Sequence, residues 1–110
     1  MNEYNKALED LTEVLKRKPT EKLALFYTAR MAHKYGYNKQ AIRNYKGAID
    51  KTNPMLISSY YFLGELYKKE GLSKHNEMFS LFLKYIAPFS GQNNQIDQMI
   101  NDAKKEIQWI

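Results

Sequence analysis

Apolar residues recur along this chain at spacings of three and four, and strand-like alternation is scarce. In EYNKALEDLTEVLKRKP, Ala7, Leu8, Leu11, Val14 and Leu15 share one helical face, and Lys16, Arg17 and Lys18 crowd the final turn before Pro19. That spacing predicts a short amphipathic helix with a definite stop, its negative dipole end matched by cations. A second helix is expected from an N-cap at Thr20, with Glu21 close behind. Leu25, Thr28, Ala29 and Ala32 make a stripe of mostly small residues along it to Gly36. After a turn at GYNK, a third helix carries Ala41, Ile42, Tyr45, Ala48 and Ile49 and is expected to end near Asn53 and Pro54.

The fourth helix is written in YYFLGELYKKEG, with Leu56, Tyr60, Leu63, Gly64 and Tyr67 on one face and Gly71 as its end. A fifth lies between Ser73 and Ala87 with Phe79, Phe82, Leu83 and Ile86 as its apolar side. The last segment, QIDQMINDAKKEIQWI, places Ile96, Met99, Ile100, Ala103, Ile107 and Ile110 on one face of an amphipathic helix. Helices therefore dominate the expected fold.

The segments also repeat. Gly36 to Gly71, Ala29 to Gly64 and Pro19 to Pro54 are each separated by 35 residues, and Pro54 to Pro88 by 34. A fixed period of this length is the mark of a reused helix-turn-helix unit. On these residues the chain resembles the tetratricopeptide repeat family: Tyr60-x2-Leu63-Gly64-x2-Tyr67 matches its first-helix pattern, with Tyr in the Trp position. Ala41-x3-Tyr45 and Ala7-x3-Leu11, followed by Pro54 and Pro19, match its second.

The resemblance implies an all-α fold, a right-handed α-solenoid of helix hairpins with a terminal capping helix, in a single domain over 1–110. Residues 3–19 would be the second helix of an incomplete repeat, 22–54 and 57–88 two full repeats, and 92–110 the terminal helix. In strict register Asn76 and Ser80 fall where Ala and an aromatic belong, while Phe79, Leu83 and Ile86 fit three residues later. A longer turn at GLSKHNE is expected.

First helices of this family line a concave groove that binds peptides. The resemblance assigns to that groove Phe26, Tyr27, Arg30, His33 and Lys34, then Tyr61, Phe62, Glu65, Lys68 and Lys69. Asp97, Asn101, Lys104 and Lys105 follow if the terminal helix packs as a first helix. Aromatic area and basic heads together suit an acidic, partly apolar peptide or helix. Tyr27 and Phe62 stand where the family's carboxylate clamp needs Asn and a basic residue, so no such clamp is expected. The implied function is a non-enzymatic protein-interaction module or scaffold. The alternative is an assembly module: with no first helix before residues 4–15, either the sequence is a piece of a longer repeat protein or that apolar face finds a partner, and homo-oligomers through the exposed end are the expectation. Trp109 is expected to contact a following repeat or a second chain.

Composition narrows the chemistry. There is no cysteine, so thiol catalysis, disulfides and thiolate metal sites are excluded. His33 and His75 fall in different hairpins without clustered carboxylates, and neither a metal site nor a catalytic dyad is expected. Ser73, Ser80 and Ser90 have no base at a recognisable spacing, and Gly64 and Gly71 lack the strand context of a phosphate loop. No enzymatic activity and no cofactor are expected. Formal charge is +5, modest for 110 residues. Nucleic acid, for which Arg30, Lys34, Tyr35, Tyr61, Lys68 and Lys69 are the candidates, is the lesser reading. No apolar run approaches the roughly 20 residues of a membrane span, and Met1 leads into NEYNKALED rather than into a signal peptide. A soluble chain is expected, with the cytoplasm preferred.

Overall fold

A computed structural model describes residues 3–18 and 20–107. Pro19, Trp109 and Ile110 lie outside the described residues, as does the side chain of Ala7, and so do the expectations resting on them. Among the described residues there are six α-helices, one 3-10 turn and no strand. The helices are α1 (Glu3–Arg17), α2 (Lys22–Lys34), α3 (Asn38–Ala48), α4 (Pro54–Lys69), α5 (His75–Ile86) and α6 (Asn94–Ile107), with the 3-10 turn at Ala87–Phe89. The chain is all-helical, as its periodicity predicts. Its contacts divide into two units, Met1–Asp50 and Lys51–Ile110.

In the first unit α2 packs against both α1 and α3. It is entered through Glu21, in extended conformation, whose carboxylate accepts from the Leu23 N–H at 3.3 Å. This is the cap expected of Thr20; the helix begins at Lys22, so its flanking residue is Glu21. Being packed on two sides, α2 buries Ala24 and Phe26 as well as Thr28, Ala29 and Ala32. The hairpin closes on α3 with Ala41, Tyr45 and Ala48 inaccessible. α3 stops at Ala48, short of the end expected at Asn53, and Ile49 is already extended. Asn53 instead opens α4: its side chain accepts from the Met55 N–H at 2.9 Å, and Pro54, which needs no N–H partner, takes the first turn.

In the second unit α4 packs against α5, and α5 against α6. α2 and α4 end alike. Gly36 and Gly71 have φ of +85° and +74°, in the left-handed region where a Cβ is costly. Past Gly36, the Tyr37 N–H reaches the Ala32 carbonyl at 2.9 Å; past Gly71, the Leu72 N–H reaches the Tyr67 carbonyl at 2.8 Å. The same hydrogen-bonded helix stop is thus built twice, 35 residues apart.

The two hairpins differ in the turn that follows. Three residues join α2 to α3 and five join α4 to α5, the longer turn expected at GLSKHNE. It sets α5 so that Phe79, Phe82 and Ile86 are buried. A Cβ on Gly64 would come within 2.8 Å of the Phe79 ring. Glycine therefore seats an aromatic ring directly on the α4 backbone. Burial of rings such as Tyr45, Phe79 and Phe82 contributes about 1.5–3 kcal/mol apiece.

Candidate functional site

A polar site lies in the second unit, where α6 reaches across to α4. On α4, Tyr61, Glu65, Lys68 and Lys69 recur at helical spacing along one face. On α6, Asp102 and Glu106 are one turn apart, and Ala103 between them is fully buried. Lys68 Nζ stands 2.7 and 2.8 Å from the two carboxylate oxygens of Glu106. The Tyr61 hydroxyl donates to Asp102 Oδ2 over a long 3.4 Å, and Gln98 Nε2 donates to Asp102 Oδ1 at 2.9 Å. Between the helices is a cavity of about 350 Å³, lined by Tyr61, Glu65, Lys68, Lys69, Phe79, Asp102 and Glu106.

Tyr61 forms the cavity's aromatic wall. Its ring meets Phe62, Phe79 and Phe82 edge-on at centroid distances of 5.5, 5.7 and 5.5 Å. Partial burial first, and then the negative charges of Glu65 and Asp102, push its phenol up to about 12. The lining carries three carboxylates against two ammonium groups, and one of each is joined in the Lys68–Glu106 pair. The pair is partly exposed and contributes no more than about 1 kcal/mol. Its larger effect is to occupy Lys68.

The fourteen residues expected to line a groove separate into several environments. Tyr61, Glu65, Lys68 and Lys69 come together at the cavity, and Phe62 is half-buried beside Tyr61. Phe26 is buried at 6% exposure, edge-on to Tyr45, and serves the core. Tyr27, 45% exposed, lines a different hollow between α1 and α2. Arg30 and His33 gather on the buried Tyr45 hydroxyl. Arg30 can only donate, so the Tyr45 oxygen accepts from Nη1 at 3.3 Å, and His33 Nδ1 shares a hydrogen bond with the same hydroxyl at 3.0 Å. Lys34 lies over the Tyr35 ring, 5.6 Å from its centroid.

On α6, Asp97 accepts from the Gly91 N–H at 2.9 Å and so anchors the preceding loop. Asn101, Lys104 and Lys105 are exposed and do not line the cavity. The residues missed by sequence reasoning are Asp102, Glu106 and Phe79. α6 faces α4 from the opposite side, so its lining residues fall on the opposite flank of the small buried residue: beside Ala103 at 102 and 106. The sequence signal was an acidic pair spaced by four that brackets Ala103.

The hollow in the first unit is larger and drier. It measures about 620 Å³ and is lined by Leu11, Val14, Leu23, Ala24 and Tyr27, with Glu13, Arg17, Lys18 and Glu21 as the rim. His75, the other histidine, has Nδ1 2.8 Å from the Leu72 carbonyl, so that nitrogen carries the proton in the turn before α5. No helix among the described residues is long and apolar enough to cross a membrane. No protein-family model, curated protein or solved structure matches this chain.

Proposed function

We propose that this chain is a non-enzymatic protein-interaction module of tetratricopeptide type, and that the α4–α6 cleft captures a peptide or helical segment. The cleft carries the reading: Tyr61, Glu65, Lys68 and Lys69, which hold positions that the resemblance gives to groove residues, line it together with Asp102 and Glu106. The twice-built helix stop at Gly36 and Gly71 supports the repeat plan. α6 packs on α5 and bonds to α4, as a following first helix would in that plan. The right-handed solenoid implied by the resemblance is part of the same proposal.

The charge of the lining refines the ligand class. An acidic segment was expected from Arg30, Lys34, Lys68 and Lys69, but Lys68 is paired with Glu106 and three carboxylates border the cavity. A partly apolar segment of mixed charge fits better, pairing an acidic group with Lys69 and presenting a basic group toward Glu65 and Asp102. The same carboxylates oppose nucleic-acid phosphate at Tyr61 and Lys68.

The test is an isotope-labelled full chain titrated with three peptide pools: acidic-aromatic, mixed-charge aromatic and polyglutamate. The mixed-charge aromatic pool should shift amide signals at Tyr61, Glu65, Lys69 and Asp102 most strongly. The charge swap Glu65→Lys with Lys69→Glu should abolish those shifts while helicity is retained. Shifts confined to other residues, or binding indifferent to the swap, would overturn the proposal.

A further inference from the structure

The α1–α2 hollow is apolar and open: Val14 and Leu23 are each 41% exposed, and Tyr27 is 45% exposed. The charge order along α1 says what covers it. Residues 3–18 contain four acidic side chains (Glu3, Glu9, Asp10, Glu13) and four basic ones (Lys6, Lys16, Arg17, Lys18). The segment is therefore neutral within a chain of formal charge +5, and it does not repel a copy of itself. All four acids precede Val14, and three of the four bases follow it.

We infer that a second copy of this chain docks here, with the two α1 helices antiparallel about a two-fold axis at Val14. Only the antiparallel arrangement sets acid against base; a parallel one would place like charges together. Asp10 and Lys18 stand four residues on either side of Val14, about 6 Å along a helix axis in each direction. Both are exposed; Asp10 lies on Val14's side of α1, and Lys18, the residue just past the helix end, stays in helical register because its N–H donates to the Val14 carbonyl at 2.8 Å. With Val14 on the axis, Asp10 of each copy meets Lys18 of the other, and the pairing occurs twice. Leu11, Leu23 and Tyr27 of both copies then lose water around the centre, inside a charged rim. The Glu13–Lys16 contact, 3.4 Å within each helix, is made by exposed side chains, with Glu13 on the rim of the hollow.

The geometry makes a charge-exchange test decisive. Sedimentation of the full chain over a wide concentration range should show a monomer–dimer equilibrium that tightens at low salt. Asp10→Lys puts two lysine pairs at the interface and Lys18→Asp puts two aspartate pairs. Each variant alone should dimerise about tenfold more weakly. An equimolar mixture of the two variants restores both ion pairs, so native mass spectrometry should find the mixed dimer in excess over either homodimer. The double variant should recover the wild-type equilibrium. Circular dichroism provides the folding control, since both positions are exposed. A wild-type chain that stays monomeric throughout would overturn the inference and leave the hollow to a different protein. Single reversals without effect, or a mixture that fails to recover, would also overturn it.

Discussion

Tyr61 shows how a residue taken from a repeat pattern acquires its chemistry only from its neighbours. Its ring rests on Phe79 and Phe82 while its hydroxyl points toward Asp102. Burial and the surrounding carboxylates oppose the phenolate and raise the pKa to about 12, against about 10 for an unfolded tyrosine. The folded chain therefore holds this proton more tightly than the unfolded one. The resulting stabilisation is fully present below about pH 10 and is lost as pH rises toward 12. Tyr61→Phe should flatten the stability profile across that window. It should also remove one late-titrating phenol from an ultraviolet difference titration. A late-titrating absorbance of unchanged amplitude in the variant would show that Tyr61 does not contribute to it.

At the scale of elements, the joint between α4 and α5 rests on the absence of a methyl group. Phe79 is 1% exposed and its ring occupies the space above Gly64. Ala29, 35 residues earlier, keeps its methyl fully buried, so the two hairpins solve the same position differently. Gly64→Ala gains about 1 kcal/mol of helix propensity but crowds the ring, at a cost of about 1–3 kcal/mol. The expected net is a loss of about 1 kcal/mol, read as a lower urea midpoint with unchanged slope. In a Phe79→Leu background the same change should be neutral or stabilising, because the ring edge is gone. Equal costs in the two backgrounds would refute the contact as the cause.

Across the whole molecule, burial is uneven. α4 buries Leu56 through Tyr60 as well as Leu63, Gly64, Leu66 and Tyr67, whereas none of the described α1 side chains is fully buried. Local opening should follow that gradient. Hydrogen exchange in dilute solution should be slowest in α4 and fastest in α1. Protection in α1 should then rise with protein concentration as the inferred dimer forms. An α1 as slow as α4 in the monomer would contradict the gradient.

Helix content, the glycine stops and much of the core were legible in the sequence because they are local: each depends on residues within one or two turns. Leu63, Gly64 and Tyr67 could be assigned to packing, and Phe79, Phe82 and Ile86 to the inner side of α5, from spacing alone. The tertiary structure decided what depends on how a helix is rotated against its neighbours. Phe26 points inward because α2 is covered on two sides. Lys68 finds Glu106 across 38 residues of sequence because α6 turns Asp102 and Glu106 toward α4 and leaves Lys104 and Lys105 exposed. Periodicity fixes which residues share a face, but only packing fixes what that face meets, and the charge of the cleft follows from the second.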